Sequence, residues 1–149
     1  MPTNAGGWEK SEMRAWLAGE LYAELPRDLA DVIVAVDKSS NNVGNTAEES
    51  AVTTTSDKLW LPAVTEVFPS TESPTFREGD QYQFFADVGA DSQESNEAIE
   101  KEYDGEAKSW WTRSAERDGM DKFYEVHANG GLNRGYAYIP LGIAPCFCL

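Results

Sequence analysis

The amino-acid sequence predicts an α+β domain with two N-terminal helices, long loops and a small, mostly antiparallel C-terminal sheet. Three observations support this prediction. Apolar residues recur at helical spacing near the N-terminus, short strand-like segments follow one another from residue 110 onward, and polar stretches separate the two regions. The chain has 149 residues, a length that suits one domain, and its 41% hydrophobic content is enough to build a core.

The N-terminal helices are predicted from capping residues and apolar spacing. Ser11 is a suitable N-cap for the first helix. The buried face of that helix would comprise Met13, Trp16, Leu17 and Leu21. Pro26 suits the first turn of a second helix. The buried side of the second helix would comprise Leu29, Val32 and Ile33.

The middle of the chain is predicted to be mainly irregular. Residues 39–56 are rich in Asn, Thr and Ser without periodicity, and residues 69–79 are punctuated by Pro and Gly, so both segments predict loops. Residues 57–62 predict a short strand, and residues 80–88 predict a short helix. Residues 91–106 are acidic, and we expect them to be mostly exposed.

The C-terminal sheet is predicted from four short segments, residues 110–114, 122–127, 135–139 and 142–149. A turn is predicted at residues 129–131, Asn-Gly-Gly. Trp110 and Trp111 are adjacent, so a strand places them on opposite faces, where we expect both to anchor a core. A buried Arg113 must pair with an internal acid or with backbone carbonyl groups.

The balance of charge is strongly acidic, with 26 Asp and Glu against 12 Lys and Arg and a net charge of −14. Such a field repels nucleic-acid phosphates and anionic membranes, so we expect no nucleic acid among the partners. No stretch approaches the roughly 20 apolar residues of a membrane span, and we expect no direct membrane insertion. Met1 is followed by Pro-Thr-Asn-Ala rather than by a signal peptide, so we expect any export signal to lie outside this chain.

Cysteine and histidine are too few, and too poorly spaced, for a metal clip. Cys146 and Cys148 are separated by one residue, and a disulfide across one extended residue is geometrically poor, so we expect two small, partly buried thiols. His127 is the only histidine. Asp118 and Asp121 are too few to specify a calcium loop. We therefore expect no metal and no cofactor.

Six blocks of sequence carry a family resemblance: GGWEKSEMRAWL (6–17), LPRDLADVI (25–33), TTTSDKLWLP (53–62), EGDQYQFF (78–85), SWWTRSA (109–115) and GIAPCFCL (142–149). In order and spacing they resemble a family of uncharacterised bacterial and phage domains that is frequent in gut-associated sequences. That family is similar to the C-type-lectin fold shared by formylglycine-generating enzymes and by the variable proteins of diversity-generating retroelements. The similarity covers nearly the whole chain.

The resemblance implies a single C-type-lectin-like domain over residues 1–149, as the C-terminal part of a longer protein. It implies a non-catalytic scaffold that recognises a protein or glycan, located at a cell surface or on a phage virion. Fuller members carry extra strands before the first helix, so another segment or a partner chain could complete the sheet. The Glu-Pro-Asn and Trp-Asn-Asp triplets of calcium-binding lectins are absent. Cys146 and Cys148 do not match the cysteine pair of the formylglycine-generating enzymes.

The strongest candidate for a binding surface is the stretch from residue 116 to residue 138. Tyr offers large, stiff contact area with a polar tip, while Asn and Arg offer adaptable hydrogen bonds, a mixture typical of binding surfaces. The candidate ligand-binding residues are Tyr124, His127, Asn129, Asn133, Arg134, Tyr136 and Tyr138. The alternative interpretation of the same composition is an ordinary hairpin with exposed aromatic side chains.

The resemblance adds a hypothesis about these seven positions. In the retroelement variable proteins, the diversified positions lie in the equivalent C-terminal stretch, before the closing strand. Adenine-specific mutation of an Asn codon yields Asn, Tyr, His, Asp, Arg, Ser or Gly, a set that includes all seven residues. Two other functions stay open. One is a structural assembly module of a pilus or phage particle, and the other is an enzyme of the formylglycine-generating type, which would need a reactive thiol or a metal.

Overall fold

The structure is a computed structural model and describes residues 3–43, 49–69, 77–116 and 121–149. In these ranges the chain forms short helices and small antiparallel sheets of two, two and three strands. The prediction of an α+β fold is therefore confirmed. The N-terminal helices precede the three-stranded sheet along the chain, as the sequence predicts.

The first helical segment begins after Ser11, whose side chain accepts a hydrogen bond from the Arg14 backbone N–H, as predicted for an N-cap. Helix α1 (Glu12–Trp16) widens into a π-helical turn (Leu17–Leu21) and closes as α2 (Tyr22–Glu24). The first residue of the π-helical turn is completely buried. The helix therefore widens where it contacts the core, a distortion that often accompanies functional sites.

The second predicted helix lasts only one turn. Helix α3 (Arg27–Ala30) follows Pro26, which occupies the N-cap position rather than the first turn. Because α3 ends early, the residues beyond it do not follow helical spacing. Ile33 is buried, whereas Val32 is 52% exposed, so the prediction that Val32 faces the core is wrong.

A hairpin occupies much of the segment that was predicted to be a loop. Strand β1 (Val36–Asn41) pairs with strand β2 (Val52–Asp57) in a continuous antiparallel register. The loop prediction for residues 39–56 is wrong because the inward side chains of this hairpin are polar. Ser40 and Thr55 are both buried, and each makes hydrogen bonds inside the protein. Hydropathy alternation, the usual indication of a strand, is therefore missing.

Two short helices lie beside the hairpin. Helix α4 (Val64–Val67) is buried at every residue, and the Glu66 carboxylate accepts a hydrogen bond from the Ala63 backbone N–H at 2.9 Å. Helix α5 (Gln83–Asp87) confirms the helix predicted at residues 80–88. Of the loop predicted at residues 69–79, residues 70–76 lie outside the described ranges.

The predicted acidic segment is mostly exposed, as expected. Strands β3 (Lys101–Tyr103) and β4 (Glu106–Lys108) form a hairpin that is exposed at every residue. Ile99 departs from the pattern because its side chain is completely buried. Ser92 is also buried, and its backbone oxygen accepts a hydrogen bond from the Leu132 N–H, so the segment is attached to the rest of the fold before the exposed hairpin begins.

The three-stranded sheet has the order β5-β6-β7. Strands β5 (Trp110–Ala115), β6 (Lys122–Val126) and β7 (Leu132–Tyr136) are antiparallel, which confirms the first two predicted strands. The third was predicted at residues 135–139 and begins earlier. The turn between β6 and β7 contains Gly130 at φ +86°, where a Cβ would lie 2.3 Å from a backbone oxygen, so only glycine fits.

Two predicted strands, residues 57–62 and 142–149, are wrong. They form isolated bridges instead of strands, because each meets its neighbour at only one or two residues. The bridges are Trp60 with Cys146, Val34 with Cys148, and Trp110 with Gly142. These bridges nonetheless fasten the C-terminal segment to the first half of the chain.

Strand β5 separates two buried apolar clusters. Trp110 packs with a cluster that includes Phe68, Phe85 and Val126. Trp111 packs with a cluster that includes Trp8, Leu17 and Trp60. Both indoles are buried on opposite faces of β5, which confirms the predicted anchoring role.

Arg113 is the central polar residue of the fold, and its side chain is completely enclosed. As predicted, it pairs with an internal acid and with backbone carbonyl groups. Its guanidinium donates to Glu66 at 2.5 and 3.2 Å. It also donates to the Ser40 hydroxyl and to the backbone oxygens of Ser39, Leu61 and Glu78. One side chain therefore joins β1, the segment before α4, α4 itself and β5.

Two buried glutamates surround this guanidinium and differ in pKa. Burial acts to raise the pKa of Glu66, but hydrogen bonds and charge from Arg113, together with Lys38 at 2.5 Å, hold it below its usual value. For Glu78, burial dominates and raises the pKa to about 7, against the opposing charge of Arg113 and the hydrogen bond from Ser114.

Replacing the central cation should lower the free energy of unfolding far more than replacing an exposed cation. Arg113→Met leaves the Glu66 carboxylate buried without its main partner, so we expect a loss of about 3–5 kcal/mol in the free energy of unfolding, measured by urea denaturation. The control Arg77→Met removes an exposed ion pair with Glu49 and should cost about 1 kcal/mol or less. Equal losses would contradict the central role of Arg113.

The raised pKa of Glu78 predicts a pH-dependent stability. Its pKa is about 7 in the folded protein against an ordinary value of 4.5, so folding favours the protonated form. That stabilisation is complete below pH 4.5 and is lost as the pH rises through 7. Glu78→Gln is neutral at every pH, so its stability relative to the parent should rise between about pH 5 and pH 8, by at most about 3 kcal/mol. Urea denaturation at both pH values measures the change, and a pH-independent difference would contradict it.

Candidate functional site

The β6–β7 hairpin distributes the seven candidate residues over both faces of the sheet and its turn. In the register, Lys122 lies opposite Tyr136 and Tyr124 lies opposite Arg134, so these four side chains share one face. The remaining candidates lie elsewhere: Asn133 on the other face, His127 and Asn129 at the turn, and Tyr138 beyond the end of β7.

A stacked tyrosine pair lies at the end of β7. The rings of Tyr136 and Tyr138 are 5.3 Å apart between centroids and are nearly parallel. Tyr136 is 39% exposed and Tyr138 is 62% exposed. The Lys122 ammonium lies 4.6 Å from the Tyr136 ring centroid, close enough for a cation–π interaction. The fold therefore holds two aromatic rings together at the surface.

Arg134 lies next to this pair and is held in place by Glu116. The two side chains form an ion pair in which Glu116 is 5% exposed and Arg134 is 57% exposed. A nearly buried carboxylate thus orients a guanidinium that still reaches solvent. We call Lys122, Arg134, Tyr136 and Tyr138 the tyrosine surface.

The turn residues lie at the other end of the hairpin. His127 follows the last residue of β6, five positions from Lys122, which places it about 17 Å away along an extended strand. The Asn129 side-chain oxygen accepts a hydrogen bond from the Gly131 backbone N–H at 3.0 Å. Asn129 therefore stabilises the turn and does not join the tyrosine surface.

Two other candidates lie outside the tyrosine surface. Asn133 donates to Glu125 at 3.1 Å on the opposite face of the sheet. Tyr124 is partly buried and packs against the cluster around Trp110. The structure thus brings together only three of the seven candidates.

Sequence reasoning missed Lys122 and Glu116. Lys122 stands two positions before Tyr124, so its face could be read from strand alternation, but its position opposite Tyr136 depends on the hairpin register. Glu116 lies at the first position of the candidate stretch. No local pattern indicates that it is buried against Arg134.

The fold brings a serine and a glutamate to His127, although they are distant in sequence. The Ser109 hydroxyl lies 3.3 Å from Nδ1 of His127, and a Glu125 oxygen lies 3.6 Å from the same nitrogen. In a catalytic triad the hydroxyl and the carboxylate meet opposite ring nitrogens. Rotating the ring by a half turn would present carbon to both oxygens. The arrangement therefore does not resemble a triad.

Comparison with known proteins places the chain in a family. The model for a domain of unknown function, DUF6273, matches residues 1–149. The chain belongs to the DUF6273 family. No curated protein and no solved structure matches it.

No group of three or more His, Cys, Asp and Glu side chains within the described ranges is arranged to hold a metal ion. Asp118, one of the two acids considered for calcium, lies outside those ranges. Among the helices described, none has the length and apolar character needed to span a membrane.

Cys146 lines a cleft of about 550 Å³ together with Lys38, Trp60 and Tyr82. The polar groups that line this cleft are hydrogen-bonded to one another. The Tyr82 hydroxyl accepts a hydrogen bond from the Lys38 ammonium at 3.0 Å and another from the Trp60 indole at 3.1 Å. Burial raises the pKa of the Cys146 thiol to about 11. Cys146 is thus protonated at neutral pH and is a weak nucleophile.

Both cysteines are free, and only Cys146 is partly buried as predicted. Cys148 is exposed because its bridge to Val34 lies at the surface, where Val34 itself is 48% exposed. The expectation of two partly buried thiols is therefore wrong for Cys148.

The two thiols should react at different rates. With an aromatic disulfide reagent near neutral pH, we expect Cys148 to react at least about tenfold faster than Cys146, because Cys146 is less accessible and burial raises the pKa of its thiol. A Cys148→Ser variant should leave only the slow reaction, and urea denaturation should abolish the difference. Rapid reaction of Cys146 in the folded Cys148→Ser variant would contradict this assignment and would support a reactive thiol.

Proposed function

We propose that this DUF6273 chain is a non-catalytic receptor or adhesion domain that recognises a protein or glycan at a cell surface. The observation that carries the proposal is the stacked pair of Tyr136 and Tyr138, which is exposed at the surface with the Lys122 ammonium against the Tyr136 ring. The proposal includes a location outside the cell, at a cell surface or on a phage virion.

The energetics of the tyrosine surface favour binding. The two rings support each other, so little side-chain freedom remains to be lost when a ligand covers them. Arg134 is oriented by a nearly buried carboxylate and still reaches solvent. Tyr and Arg are enriched among the residues that dominate binding free energy at interfaces. A rigid aromatic patch with an oriented guanidinium suits either a sugar ring or a peptide backbone.

The proposed fold is C-type-lectin-like. Two features support it: helices precede an antiparallel sheet, and the C-terminal segment bridges back to Trp60 and Val34 in the first half of the chain. We also propose that another segment, or a partner chain, adds strands that complete the sheet. A net charge of −14 supports a partner other than nucleic acid.

We also propose that a retroelement diversifies some of the seven candidate positions. Their exposure and contacts indicate which of them suit variation. Arg134, Tyr136 and Tyr138 lie together and reach solvent, as variable contact residues must. His127 and Asn129 are exposed at the distant turn. Tyr124 packs against the interior and is less suited to variation, whereas Asn133 is exposed on the other face of the sheet.

The geometry gives less support to an enzyme of the formylglycine-generating type. Such an enzyme needs a reactive thiol or a metal, and the raised pKa of Cys146 works against thiol chemistry there. The arrangement around His127 offers no proton relay between Ser109 and Glu125. We propose no reaction for this chain.

The proposal is tested by binding to intact gut bacterial cells and to a glycan array. We expect the parent protein to bind, and a Tyr136→Ala/Tyr138→Ala variant to bind at least about thirtyfold more weakly, because buried interface tyrosines contribute about 2 kcal/mol or more. The matched control is Tyr103→Ala, which removes a tyrosine that is 77% exposed on the β3–β4 hairpin. Its binding should equal that of the parent.

Urea denaturation of each variant separates lost binding from lost folding. Equal binding by the parent and the folded double variant would place the contact surface elsewhere. Absence of binding by the folded parent in both assays would contradict the receptor proposal.

A further inference from the structure

A cavity of about 830 Å³ lies between the N-terminal helical segment and the three-stranded sheet. Its apolar wall includes Met13, Trp111 and Phe123. Trp111 and Phe123 belong to the sheet face opposite Arg134 and Tyr136, so the cavity is separate from the tyrosine surface. Its volume lies in the range of pockets that take small organic ligands.

The helical wall of the cavity carries an indole between two carboxylates. Glu12 and Trp16 are four residues apart on α1 and lie on one side of it. Glu20 follows in the π-helical turn, and all three residues line the cavity. Trp16 is 37% exposed, so the prediction that it belongs to the buried face of the first helix is wrong. Gly19 lines the same wall in the π-helical turn, and a Cβ built there would meet nothing within 4 Å. The space beside Gly19 is therefore empty and can accommodate a larger side chain.

Four of the described charged residues line the cavity, namely Glu12, Glu20, Lys10 and Arg113. Arg113 is one of the lining residues, but its side chain is enclosed and paired with Glu66. Arg14 is tied to Asp57 at 2.8 Å. Lys10 also lines the cavity, where its side chain packs against the Gly6 backbone. Glu12 and Glu20 are both exposed carboxylates on the cavity wall.

We propose that this cavity binds a small organic ammonium ion with an aromatic body. The ammonium group lies against the Trp16 ring, where a cation–π interaction and the flanking Glu12 and Glu20 carboxylates stabilise it. The aromatic body packs against Trp111, Phe123 and Met13. This site goes beyond the proposed receptor function and does not depend on it.

Calorimetric titration with tryptamine and with its neutral analogue tryptophol tests the charge requirement. The two probes share an aromatic body and differ in the ammonium group. We expect the parent to bind one tryptamine, and to bind tryptophol at least about tenfold more weakly. A Glu12→Gln/Glu20→Gln variant should lose most of that discrimination, while Glu24→Gln, an exposed glutamate outside the cavity wall, should keep it.

Gly19→Leu tests the location without removing any contact. The new side chain enters open space in a helical segment, where replacing glycine does not destabilise the fold. We expect tryptamine affinity to fall at least about tenfold and the urea midpoint to stay equal or rise. A Tyr136→Ala/Tyr138→Ala variant should bind tryptamine like the parent, which separates this site from the tyrosine surface.

Three results would overturn the proposal. The first is absence of tryptamine binding by the parent. The second is equal affinity for tryptamine and tryptophol, which would make the cavity a site for neutral aromatic molecules. The third is unchanged tryptamine binding in a folded Gly19→Leu variant, which would place the bound amine elsewhere.

Discussion

The guanidinium of Arg113 fixes the relative positions of most of the described structure. It is completely enclosed and bonded to Glu66, to Ser40 and to backbone oxygens from three separate segments. A buried cation is stable only when its donors are matched, so each of these segments must keep its place. The neighbouring Glu78 shows the cost of this arrangement, because burial outweighs the nearby cation and raises its pKa.

Strand β5 carries this anchor and also separates the two candidate sites. Trp110 faces one apolar cluster and Trp111 faces the other, so the sheet is held from both sides. On one face the tyrosine surface extends from the hairpin, and on the other the cavity opens toward the N-terminal helical segment. Rigid support on both sides limits the entropy that either site would lose on binding.

The sequence predicted those features that depend on neighbouring residues or on the cost of burying a single charge. The Ser11 N-cap, the strand at Trp110 and the pairing of Arg113 all follow from short-range spacing or from the cost of burying a charge. The β1–β2 hairpin could not be predicted in this way. Its inward residues are polar because they bond to one another and to Arg113, which is distant in sequence, so the alternation of hydropathy is lost. The strand prediction for residues 142–149 was wrong for the opposite reason. Their composition is apolar like that of a strand, but they pair with other segments only through isolated bridges.

The candidate sites differ in how far the sequence reveals them. Composition alone identified Arg134, Tyr136 and Tyr138, but the hairpin register was needed to add Lys122 and to set Asn133 aside. No sequence pattern indicated the cavity, because its two walls come from segments that are distant in sequence.

The two sites also differ in the charged side chains that they contain. A protein with a net charge of −14 places Lys122 and Arg134 at one surface and leaves Glu12 and Glu20 on either side of Trp16 at the other. Two sites with different side chains on opposite faces of one sheet favour chemically different ligands, so occupation of one need not exclude occupation of the other.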